Sequence, residues 1–194
     1  CNYFSYYSNH SSNKKRLIMK VIFLDFDGVI NNCGDIDDYV FYRVNDKSNR
    51  IHSLPFSASN IVPLKMLFDF LFKENIKIVL STSWRQIISY KNLDIAFKNF
   101  LGFSHMNEKI IIDELPVIYE SFEAIRGNEI KVFLENNPNI SDYLIIDDNF
   151  DFLKTQKNHL ILTNASIGFS EKDFQKVKTY FSKNKSNIFS QIFK

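Results

Sequence analysis

The chain has 194 residues, 45% of them hydrophobic and 24% charged, with a formal net charge of +2. That length suits one α/β domain with a substantial core, and the near-neutral balance excludes a strong global attraction to nucleic acid but not a local basic patch. Two cysteines, Cys1 and Cys33, exclude a disulfide framework, and no apolar run approaches membrane-spanning length, so a cytoplasmic setting is expected.

Residues 1–18 lack any helical or strand period and carry Lys14-Lys15-Arg16 last. They read as an appendage to a domain over 19–181, not as a secretory signal. The first strand, about Lys20 to Asp25, is an apolar, β-favouring run that drives into Asp25-Phe26-Asp27-Gly28. Such an unbroken run is covered on both faces, as in a parallel sheet. Two carboxylates at its end repel one another and suit magnesium, which takes hard oxygen ligands. A solvated Asp-Gly turn is the plainer alternative.

Residues 31–57 are polar and irregular, with a hairpin expected around Tyr39–Val44. A helix follows over about Ser59–Lys73, capped by Ser59 or Asn60 and tolerating Pro63 in its first turn. Val62, Leu64, Leu67, Phe68, Leu71 and Phe72 supply its buried stripe. The second strand, Lys77–Ser81, ends in Ser81-Thr82-Ser83. Helical segments fill much of 84–101, a short strand covers Lys109–Ile112, and a helix over about Asn128–Glu135 stops at Asn136-Asn137-Pro138. Tyr143–Asp147 is the next strand, ending in Asp147-Asp148 with Asp151 close behind. His159–Thr163 makes a fifth, and the last helix starts after Ser170, with Asp173 as its capping partner. Residues 182–194 form a helical tail that packs on the core or docks on a partner.

Strands alternating with helices imply a three-layer, doubly wound, Rossmann-like parallel sheet. The ligand crevice of such sheets lies beyond the carboxyl ends of the strands. Three strands here end in Asp-x-Asp, Ser/Thr and Asp-Asp, so their side chains are expected to converge.

On these residues the chain resembles the haloacid-dehalogenase-like (HAD) superfamily of phosphohydrolases and phosphotransferases, over roughly residues 19–180. Asp25-Phe26-Asp27-Gly28-Val29 looks like its first motif, Ser81 or Thr82 like its second, and Asp147-Asp148 like its fourth. Arg126 best fits the basic third motif, with Lys131 second. Ser81-Thr82-Ser83-Trp84-Arg85 is also similar to a small subgroup linked to nucleic-acid end repair. The resemblance implies an Mg2+-dependent phosphomonoesterase with Asp25 as nucleophile and Asp27 as general acid–base. Ser81 and Arg126 would meet phosphoryl oxygens. Metal ligands would come from Asp25, the main-chain carbonyl of Asp27 and one of Asp147, Asp148 or Asp151. Asp148 is favoured, while Asp147 and Asp151 reproduce the family's other spacing.

Thr82, Trp84 and Arg85 are the candidates for substrate contact. Trp84 would stack on a base and Arg85 would hold a second phosphate; the plainer reading is a core tryptophan and a surface arginine. The family inserts a cap after motif one or between motifs two and three. Here the first gap holds a loop and the second one or two helices, which implies an open, capless or minimally capped site. A phosphorylated small molecule or a nucleic-acid end would fit it, and oligomeric state is left open. Two other classes compete. A phospho-receiver domain carries its acidic pair early, whereas the pair here is late. An idle binding module or effector scaffold is opposed by the presence of both Asp25 and Asp27. None of the five glycines belongs to a Gly-Lys-Ser/Thr loop, which excludes a P-loop kinase.

Overall fold

The computed structural model describes residues 18–34, 36–118 and 125–192. The chain begins with β1 (Met19–Leu24), a hairpin of β2 (Tyr39–Asn45) and β3 (Ile51–Ser57), helix α1 (Ile61–Glu74) and β4 (Ile76–Leu80). Next come α2 (Tyr90–Leu101), β5 (Ile111–Glu114) and α3 (Ile125–Asn136). β6 (Ile140–Asp147), β7 (Leu160–Leu162) and α4 (Glu171–Ile192) complete it. Five strands form one parallel sheet in the order β5-β4-β1-β6-β7.

Successive strand side chains point to opposite faces. Ile22 and Leu24 of β1 join the core under α1, α2 and α4, whereas Val21 and Phe23 join the one under α3. Phe23 and Phe133 of α3 meet edge to face at 5.8 Å. Cover on both faces explains the continuous apolar runs of β1 and β4 and makes the expected three-layer α/β sandwich.

The stretch 31–57 is more ordered than its polarity suggests. Val44, Leu54 and Phe56 alternate along the hairpin into the main core, and Phe56 stacks on Phe100 of α2 at 4.8 Å. The hairpin turn is organised by the Asp46 carboxylate, which accepts the amides of Ser48 and Arg50 and the Arg50 Nε–H. This hairpin fills the gap after β1. A 3-10 turn (Ser83–Gln86), α2 and β5 lie beyond β4, and no large cap domain stands among the described residues.

Three local expectations change. Val62 is 55% exposed, because it lies about 200° round the helix from Leu64 at roughly 100° per residue. Asn60 occupies the cap position of α1 without a side-chain bond to the helix. Its Nδ2 instead donates to the carbonyls of Val29 and Ile30, 3.2 Å each, while Ser59 Oγ donates to Asp38. A buried, unpaired carbonyl costs at least as much as an uncapped helix end, so the amide turns inward. The start of α4 follows the sequence: the Asp173 amide donates to Ser170 Oγ and the Ser170 amide to Asp173 Oδ2. α4 then runs through the 181/182 division to Ile192, with Phe181 in the core. Residues 1–17, and with them almost all of the expected appendage, lie outside the described residues, as do 35, 119–124 and 193–194.

Asn60→Ala removes the donor to Ile30 and is expected to destabilise the fold by about 2 kcal/mol. Urea denaturation should show a lower midpoint with an unchanged slope.

Candidate active site

Leu24 is in register with Leu80 on one side and Ile146 on the other. The ladder continues one residue further: the Asp25 amide donates to the Ile146 carbonyl (3.0 Å) and the Ser81 amide to the Leu24 carbonyl (2.9 Å). Asp25, Ser81 and Asp147 therefore stand side by side at the carboxyl edge of the sheet. Carboxylate oxygens of Asp25, Asp147 and Asp148 all lie within 4.8 Å of one another.

Asp25 and Asp147 are buried. Burial pushes the Asp25 carboxyl up to about 6 against the opposing pull of Arg126. Burial and then the charge of Asp25 push Asp147 up to about 7. This donor set fits Mg2+: hard oxygens only, mutually repelling and close enough to share one ion. Gly28 makes room for it. Its φ is 73°, and a side chain there would run into the Asp148 carboxylate.

Arg126 leans from α3 across Ser81. Its Nη1 donates to Ser81 Oγ at 3.2 Å and lies 4.0 Å from Asp25 Oδ1. Lys131, the other candidate for the basic position, has a 59% exposed side chain 4.0 Å from Glu135. Asp151 stands apart from the carboxylate cluster, contrary to the ligand role expected of it. Its Oδ2 accepts the Arg126 amide at 3.1 Å and its carbonyl accepts the Gly127 amide. It thus fixes the first turn of α3, where donors lack helical partners and negative charge is favoured.

Arg85 is the clearest correction. It is 3% exposed, neither a surface arginine nor free to hold a second phosphate. Its Nε donates to the Leu115 carbonyl and its Nη1 to the Thr82 carbonyl, and Nη2 sits 2.6 Å from Glu129 Oε2. A buried guanidinium needs a counter-charge and filled donors, and these are all internal. Thr82 is likewise turned inward: it is fully buried, and its Oγ1 accepts the Trp84 amide at the head of the 3-10 turn. Trp84 does flank the site. Its indole Nε1 donates to Asp27 Oδ2 at 2.9 Å, and Asn31 Nδ2 approaches the other oxygen at 3.4 Å. The Asp27 carboxylate is thereby held outside the cluster of the other three.

Glu129 escapes the sequence reading. It is buried between two arginines, 2.6 Å from Arg85 Nη2 and 3.9 Å from Arg126 Nε. The only signal for it is the Arg126-x-x-Glu129 spacing, which puts both on one side of a helix.

Residues 21–174 match the family described as the HAD domain in Swiss Army Knife RNA repair proteins. The chain belongs to this family. It is a HAD-type hydrolase domain of the RNA repair subgroup, built on the parallel sheet expected of that fold. No curated protein and no solved structure matches it. No helix among the described residues is long and apolar enough to cross a membrane.

Two outcomes follow for the HAD domain's stability. Asp25 and Asp147 bind protons more tightly folded than unfolded, where the usual value is 3.8. Between about pH 4 and pH 7 the folded state thus holds more protons, and stability falls as pH rises. Melting temperature should decline across that window without divalent cation, and millimolar Mg2+ should restore it most at the upper end. Glu129→Ala strands Arg85 without its counter-charge and should destabilise by about 3–5 kcal/mol in urea titration.

Proposed function

We propose that this domain is an Mg2+-dependent phosphomonoesterase that removes terminal phosphates from RNA ends, with Asp25 as nucleophile. The observation that carries the reading is Asp25 set between Arg126 and Ser81 on one side and Asp147 and Asp148 on the other. Mg2+ held by Asp25, Asp147 and Asp148 would neutralise phosphoryl oxygens and orient the group for in-line attack.

The remaining chemistry belongs to the chain's own side chains. Asp25 Oδ attacks phosphorus, the bond from phosphorus to the ester oxygen breaks, and Asp27 delivers its proton to the departing alcohol. Asp27, now a carboxylate, takes a proton from water as the water oxygen bonds phosphorus. Phosphate leaves and the Asp25 carboxylate is regenerated. The Arg126 fork and the Ser81 hydroxyl meet phosphoryl oxygens, whose charge peaks in the transition state. Trp84 and Asn31 orient Asp27 apart from Asp25, so the proton donor and the nucleophile keep separate roles. The RNA-end assignment is supported by the family match and by the lack of a large cap domain among the described residues.

Hydrolysis of p-nitrophenyl phosphate and of terminally phosphorylated oligoribonucleotides tests this directly. Turnover should require Mg2+, vanish in Asp25→Asn and fall at least about a hundredfold in Asp27→Asn. Turnover that survives in Asp25→Asn would sink the assignment.

A further inference from the structure

The hairpin has a second face that the core does not use. Tyr42 and Val44 of β2, with Leu54 and Phe56 of β3, face inward. Tyr39, Phe41 and Arg43 alternate with them on the other face, and Phe41 and Arg43 lie opposite Pro55 and Ser53. Phe41 is 61% exposed; among the described phenylalanines only Phe150, at 68%, is also exposed. Leaving such a ring in water forgoes about 1.5–3 kcal/mol of burial.

This row is continuous with the site. The Tyr39 hydroxyl donates to the Asn32 carbonyl at 2.6 Å, and the preceding residue, Asn31, is the one bonded to Asp27. The Tyr39 and Phe41 rings meet edge to face, with centroids 6.4 Å apart. From Tyr39 to Arg43 the strand advances roughly 13 Å, beyond the reach of a small phosphate ester docked at Asp25.

We propose that Tyr39, Phe41 and Arg43 form a track for the single-stranded nucleotides that adjoin the phosphate being removed. The inference rests on that phosphatase reading and assigns the face that holds the strand next to its RNA end. Bases stack on Phe41 beside Tyr39, a contact that tolerates any base because each has a π-face. Arg43 supplies the positive charge for the backbone at the far end. The near end needs none from the hairpin, since Arg126 already stands at the carboxylates.

Two measurements on the full chain test the track. The first is kcat/KM for terminally phosphorylated oligoribonucleotides of one, two, four and eight nucleotides, beside p-nitrophenyl phosphate. It should rise with length, and Phe41→Ala should lower the tetramer value about tenfold more than the p-nitrophenyl phosphate value. The second is fluorescence anisotropy with a labelled, unphosphorylated octaribonucleotide, which needs no turnover. Phe41→Ala and Arg43→Ala should each weaken binding about tenfold, whereas Val62→Ala, an exposed apolar truncation on α1, should not. Parent-like octamer binding by both hairpin variants overturns the track. So does a Phe41→Ala change confined to the monomer–dimer equilibrium in sedimentation, which would make the face a self-association surface. Phe41-dependent binding without turnover in the parent would sink the phosphatase reading and leave the track standing.

Discussion

Three carboxylates within a few ångströms of each other at the rim of a buried sheet repel one another, and the fold tolerates them only with a proton or a cation in their midst. Much of the surrounding architecture answers to that repulsion. Strand register brings Asp25 and Asp147 together, and the left-handed backbone at Gly28 lets Asp148 close in. Arg126 approaches from α3 as the nearby positive charge, at 4.0 Å from Asp25. One arginine cannot balance three carboxylates, and the imbalance suits the site to a hard cation.

The second set of charges keeps the first in place. Arg85 and Arg126 flank Glu129, so the turn after β4 and the first turns of α3 share one buried carboxylate. Asp151, from the loop after β6, caps the same end of α3. Arg126, the arginine beside Asp25, is thus oriented by residues of three separate segments. A conservative change to lysine at Arg126 would keep the charge but lose the planar group that faces Ser81 and Asp25 through Nη1 and Glu129 through Nε.

The strand ends were legible because their chemistry is local: an apolar run that stops at Asp, Ser or Asp-Asp announces both the strand and its exposed edge. Arg126 was proposed only through the family resemblance, as the basic residue at the helix that leads into β6, whereas the Ser170–Asp173 cap was legible from a three-residue spacing. What the sequence concealed is tertiary. Arg85 reads as a surface residue until Glu129, more than forty positions away, is brought beneath it. Asp151 looks like a ligand by spacing alone, yet the amide of Arg126 claims its carboxylate. Asn60 looks like a cap, yet two buried carbonyls lie closer. In each case the partner that decides the role, Glu129, the Arg126 amide or the Val29 and Ile30 carbonyls, lies more than twenty positions away, where spacing along the chain gives no sign of it.

The position of β1 in the sheet has a consequence for how the protein is made. The strand that ends in Asp25 is made before every other strand of the sheet, but it lies between β4 and β6 and cannot gain its second neighbour until β6 has been made. Contacts so distant in sequence close late and slowly. A nascent chain that has reached only β4 exposes one bare edge of β1 and lacks Asp147 and Asp148 altogether. The full carboxylate cluster therefore exists only after the arrival of β6, so the ion required by the proposed function would be a late check on completed folding, not an early nucleus for it.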